Sequence, residues 1–88
     1  MANIASQKKR IKRTERERLE NRRLTGAVGT HFRRLEQAVS AGDSSAIDRE
    51  HRLLVSRIDK AVEKGALHAN AGARKKSRAA RLRAGAGA

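Results

Sequence analysis

Only 17 side chains larger than alanine are apolar in this 88-residue chain, and a single one of them, Phe32, is aromatic. The 38% hydrophobic fraction is otherwise made up by 16 alanines, so a broad two-layer core is excluded and a small helical one is the affordable solution. Cysteine is absent, which excludes a disulfide framework and thiolate metal sites and is the usage expected of a reducing compartment. The longest apolar runs are three residues, such as Leu53, Leu54 and Val55, too short for a membrane span or the centre of a secretory signal. Glu15, Glu17 and Glu20 interrupt the basic N-terminal stretch, unlike a transit peptide. A soluble intracellular chain is expected.

Charge divides the sequence more sharply than hydropathy does. The formal net charge is +13, and it falls as +6 over residues 1–25, +1 over 26–66 and +6 over 67–88. Two cationic arms thus flank a nearly neutral middle that holds most of the large apolar residues. Such a surface attracts polyanions, with nucleic acid first and an anionic membrane second.

The absence of proline and the abundance of alanine, leucine, arginine, lysine and glutamate favour helix throughout. Leu24, Val28, Phe32, Leu35 and Val39 recur at helical spacing, as do Ile47, His51, Leu54, Ile58 and Ala61 after the candidate cap Asp43. Gly65 is the expected C′ residue of the second helix. Asn70 is placed to cap a third, whose uncharged face runs through Ala73, Ser77, Ala80 and Ala84 and is expected to dock weakly. The reading is an all-α three-helix bundle in a single domain over 1–84. Its helices span about 4–41, 44–64 and 70–84, with a disordered tail at 85–88. A continuous first helix of that length reaches about 57 Å, and Ile11 and Leu19 fall off the apolar stripe, so its first two dozen residues should project beyond the bundle. Gly26 and Gly29 are expected to mark a bend or a close crossing.

On the projecting part, Lys8, Lys12, Arg16 and Arg23 share one arc of the helix with Lys9 and Arg13 beside it, forming a cationic rail. In the third helix Arg74, Lys75, Lys76, Arg78, Arg81 and Arg83 have no acid of their own helix to pair with. Arginine outnumbers lysine 15 to 7, and its planar fork suits phosphate. Double-helical RNA fits best: no helix-turn-helix, zinc finger or leucine-zipper basic region is visible, and one aromatic cannot serve base stacking. Contacts would run through phosphates and 2′-hydroxyls, the latter met by Asn3, Ser6, Asn70 and Ser77, although Asn70 serves equally as a cap and Ser77 as a packing residue. His68, at the mouth of the last arm, is a candidate phosphate donor, whereas His51 lies on an apolar stripe and reads as a core residue. Both arms are expected to gain helical order as polyanion relieves their self-repulsion. No nucleophile–base pair, metal-ligand spacing or phosphate loop is present, so no enzyme, cofactor or metal is expected. A DNA-compacting protein and a membrane-surface peptide are the rival classes; the latter needs bulky apolar residues opposite its cations, where the third helix has mainly alanine.

Three stretches carry a family resemblance: Met-Ala-Asn-Ile-x-Ser-Gln-Lys-Lys-Arg at 1–10, Ala-Gly-Asp at 41–43, and Lys-Gly-x-Leu-His-x-Asn-x-x-Ala-Arg-Lys-Lys-Ser-Arg at 64–78. Together they closely resemble the bacterial small-subunit ribosomal protein S-twenty family over nearly the whole chain. The resemblance implies a three-helix bundle in the cytoplasmic ribosome that binds small-subunit ribosomal RNA directly and early in assembly. Carried over residue by residue, its RNA contacts would fall on Asn3, Ser6, Lys8, Lys9, Arg10 and Arg13, and on His68, Asn70, Arg74, Lys75, Lys76, Ser77 and Arg78. Lys12, Arg16, Arg23 and Arg81 join them from the charge pattern. The expected partners are small-subunit ribosomal RNA and few or no proteins, with no membrane and no homo-oligomer. The chain departs from the family pattern at Ala5, Gly72 and Ala79, where lysine, a better helix former and leucine are usual.

Overall fold

A computed structural model describes residues 4–85 as three α-helices: α1 (Ile4–Ala41), α2 (Ser44–Glu63) and α3 (Ala69–Gly85). Asn3 and residues 86–88 of the expected tail lie outside the described residues, while Gly85, expected in that tail, is the last residue of α3. The chain is all-α among the described residues, and its first helix outreaches the bundle within a body of 63 × 20 × 13 Å.

The turns follow from local chemistry. Gly42, at φ 71°, ends α1 with its N–H donating to the Ala38 and Val39 carbonyls at 3.0 and 3.1 Å. Asp43 then caps α2, its carboxylate accepting from the Ala46 N–H at 3.2 Å. At the far end Gly65, at φ 78°, donates to the Val62 carbonyl (3.1 Å) and Ala66 to that of Ala61 (2.8 Å), a Schellman closure that only glycine enters without strain.

The core lies where the large apolar residues recur: Val28, Phe32, Leu35 and Ala38 of α1 against Ile47, Leu54, Ile58 and Ala61 of α2, with Ala79 from α3. Leu24 and Val39 pack at its margins. His31 is also buried, a residue that the apolar spacing does not pick out. Every residue from Ile4 to Glu20 is exposed, so this half of α1 leaves the bundle. The helix runs unbroken through Gly26 and Gly29, and a Cβ at either would meet nothing within 4 Å. The expected close crossing is therefore absent.

The face that α3 buries also differs from expectation. Ala73, Ser77, Ala80 and Ala84 are all exposed, whereas Gly72 and Ala79 are buried and Leu82 packs against the core. At 100° per residue the helix is turned by about 130° from the small-residue face. Two forces account for this. Leu82 is the one large apolar residue of α3 and gains most from burial. Acids of α1 and α2 receive the cations flanking that seam: Lys76 pairs with Asp59, Arg78 with Glu36 and Arg83 with Asp48. Gly72 permits the approach, since a Cβ there would lie 2.5 Å from Val62 Cγ2.

Gly72→Ala is accordingly expected to destabilise the fold by about 1–2 kcal/mol, the overpacking of a stiff β-branched neighbour outweighing the gain in helix propensity. Adding Val62→Ala should restore part of that loss in thermal denaturation followed by circular dichroism. A Gly72→Ala protein more stable than the parent would show that α3 does not sit this close to α2.

Candidate nucleic-acid interface

The projecting half of α1 carries its cations on an unshielded helix. Ser6, Lys9, Arg10, Lys12, Arg13 and Arg16 line one shallow depression along it, while Lys8 and Arg23, also exposed, lie outside that depression. Arg13 Nε is 3.4 Å from Glu17 Oε1 with both side chains well exposed, an i, i+4 pair worth only a few tenths of a kcal/mol, about what an exposed pair supplies. Among the described residues, Lys8, Lys9, Arg10, Lys12, Arg16 and Arg23 have no acid within ion-pair distance.

The rotation of α3 sorts its cations into three directions. Arg74 and Arg81 line the outer surface with Ser77 and have no acid partner among the described residues. Lys75 and Arg78 also reach a groove shared with α1, where the Arg78 guanidinium lies 4.9 Å from the Phe32 ring centroid and 3.6 Å from Glu36 Oε1. Lys76 and Arg83 reach α2. Arg83 is held twice there, 2.6 Å from Asp48 Oδ1 and 3.4 Å from His51 Nδ1. The sequence showed no partner for these cations within α3; the fold supplies three from other helices.

The histidines separate by role. His51 is half-buried, and its pKa is lowered first by desolvation and then by the Arg83 charge, with Asp48 opposing. The neutral ring is thus the form that accepts from Arg83. His31 Nδ1 stands 3.9 Å from Glu50 Oε2, too far for a hydrogen bond, and both atoms are buried. His68, not Asn70, caps α3: its Nδ1 accepts from the Asn70 N–H at 3.1 Å and its carbonyl from the Gly72 N–H at 2.9 Å. Asn70 stands instead within the first turn, exposed. With Nδ1 accepting, the proton of neutral His68 resides on Nε2, leaving an exposed donor beside the start of the cationic helix. Nothing in the sequence marks an imidazole as the capping acceptor, since the usual signal is Ser, Thr, Asp or Asn.

Among the described residues, no group of three or more His, Asp or Glu stands close enough to hold a metal ion. No helix of the structure is long and apolar enough to cross a membrane. What the surface presents is a charged helical rod at one end and a cationic helix face at the other.

Fold and surface together define a small helical protein with extended basic faces. The family described as Ribosomal protein S20 matches residues 2–83. Small ribosomal subunit protein bS20 of Frankia casuarinae is 45% identical over 84 residues, covering 96% of this chain and 94% of that one. The proteins of the same name from Corynebacterium aurimucosum (43% identical, covering 88% of each chain) and Acaryochloris marina (44%, covering 93% of this chain and 95% of the other) are similar over comparable lengths. The chain belongs to the ribosomal protein S20 family. It is a structural protein and not an enzyme.

Proposed function

We propose that this protein is a structural constituent of the small ribosomal subunit, in the cytoplasm, that binds the subunit's RNA directly and assists its assembly. The observation that carries the reading is the projecting half of α1: from Ile4 to Glu20 every residue is exposed, and among the described residues Arg13–Glu17 is its one ion pair. A helix of this kind repels itself in water and is stabilised by lying against phosphates. Lys8, Lys9, Arg10, Lys12, Arg13, Arg16 and Arg23 supply that contact at one end, and Arg74, Lys75, Lys76, Arg78 and Arg81 supply it at the other. His68 Nε2, Ser6, Asn70 and Ser77 add hydrogen bonds to phosphates or 2′-hydroxyls. Asn3, which lies outside the described residues, belongs to the same set by sequence.

The protein acts by position. Where RNA helices converge, phosphate repulsion opposes their packing; a rod and a face of fixed cations lower that repulsion without turnover. RNA supplies most of its contacts, with few or no proteins and no second copy of the chain. The bundle between the two ends sets their separation.

Counterion release gives the test. With eight to ten of these twelve cations on phosphate at once, the logarithm of the association constant for small-subunit ribosomal RNA should fall against the logarithm of salt with a slope of about −7 to −9. Filter binding across a salt series reads this directly. A slope near −2, or equal affinity for duplex DNA in competition, would sink the reading.

A further inference from the structure

Gly29 is the starting point. It interrupts a 38-residue helix at a cost in helix propensity, yet a Cβ there would meet nothing within 4 Å, so the protein's own packing does not require glycine. It opens onto the groove between α1 and α3, whose volume is about 310 Å³, roughly ten times the ~30 Å³ share of a liquid water. The floor of the groove is apolar, with Phe32 and Leu67, and its rim is cationic, with Arg33, Lys75 and Arg78. Among the described residues Arg33 and Lys75 have no acid within ion-pair distance, and Arg78 holds Glu36 only at 3.6 Å with both side chains open to solvent.

We propose that this groove is a seat for one ribose-phosphate segment of an RNA strand, with Gly29 admitting the strand against the α1 backbone. This rests on the RNA-binding reading above and adds to it a site on the bundle, where Gly29 and Arg33 of α1 join Lys75 and Arg78 of the second arm. The charge balance selects the occupant: three cations face one carboxylate, which suits a phosphate and disfavours an acid-poor protein segment. The apolar floor accepts the carbon face of a ribose, and Phe32, buried beneath Arg78, is not free to stack a base. Thr25, also at the groove, donates its hydroxyl to its own helix at the Asn21 and Arg22 carbonyls (3.0 and 3.1 Å) and keeps lone pairs that can accept from a 2′-hydroxyl. That acceptor is a reason for RNA over DNA here.

The test sets folding against binding in the full-length protein. Gly29→Ala and, as control, Gly26→Ala each add a Cβ in open space and should melt at or above the parent temperature. Gly29→Leu reaches further into the groove and is compared at a melting temperature matching theirs. Titrated against bacterial small-subunit ribosomal RNA, Gly29→Leu should bind about tenfold more weakly and Gly29→Ala less so, while Gly26→Ala matches the parent. Arg33→Ala should weaken binding without lowering the melting temperature. Parent-like affinity of both Gly29 variants and Arg33→Ala overturns the seat and leaves the basic arms standing. A parent protein that fails to bind the RNA overturns both readings. Unchanged RNA affinity with lost incorporation into reconstituted subunits would assign the groove to a protein and refute the proposal.

Discussion

Leu54→Ala leaves the free protein largely unfolded at room temperature. Leu54 has no exposed surface and sits midway along α2, within a core to which α3 contributes only Ala79 as a buried apolar residue. Truncating such a leucine costs about 3–5 kcal/mol, the lost transfer energy plus a cavity that surrounding helices close only in part. A core this small supplies a net stability of about the same size, so the substitution consumes most of it. Leu53, the next residue, is 37% exposed and makes the control: Leu53→Ala should shift the transition by under about 1 kcal/mol. Urea titration followed by far-UV circular dichroism distinguishes the two. A Leu54→Ala protein with a cooperative transition near that of the parent would mean the bundle is not held at this position.

The same core explains why half of the fold was readable from sequence. Val28, Phe32 and Leu35, and Ile47, Leu54 and Ile58, are large residues at helical spacing, and large residues decide their own burial wherever two stripes can meet. Asp43 and Gly65 were equally legible, because a cap is settled within four residues of chain. The orientation of α3 was not. Its buried face is decided by Leu82 and by Glu36, Asp48 and Asp59, which lie on other helices and at no fixed spacing from the cations they hold. An uncharged row of alanines gains too little by burial to compete with that arrangement. His68 escaped for a different reason: its ring nitrogen caps the helix where the sequence offers a conventional asparagine two residues on. On the rod every candidate cation is exposed, since a projecting helix has no tertiary partner to cover it. On α3 the sequence names the cations without showing which of them the protein itself already engages.

That division of α3 predicts opposite phenotypes for two pairs of substitutions. Arg74→Glu with Arg81→Glu reverses the outward face, where neither arginine has an acid partner among the described residues. The fold should keep its melting temperature, while affinity for small-subunit ribosomal RNA drops by about a hundredfold and the salt slope becomes shallower by about 2 units. Lys76→Glu with Arg83→Glu instead sets carboxylates against Asp59 and Asp48 and removes the donor to His51. Repulsion at that seam should undock α3, seen as a lower and broader thermal transition. Because the outward arginines remain, raising the RNA concentration should recover binding, with a salt slope shallower by about 1 unit for the lost Lys76 contact. If the first pair melts the bundle, Arg74 and Arg81 are structural and the outer face of α3 is not where RNA lies. If the second pair leaves the transition untouched, the carboxylates of α2 do not orient the helix, and Leu82 with Gly72 must set its face alone.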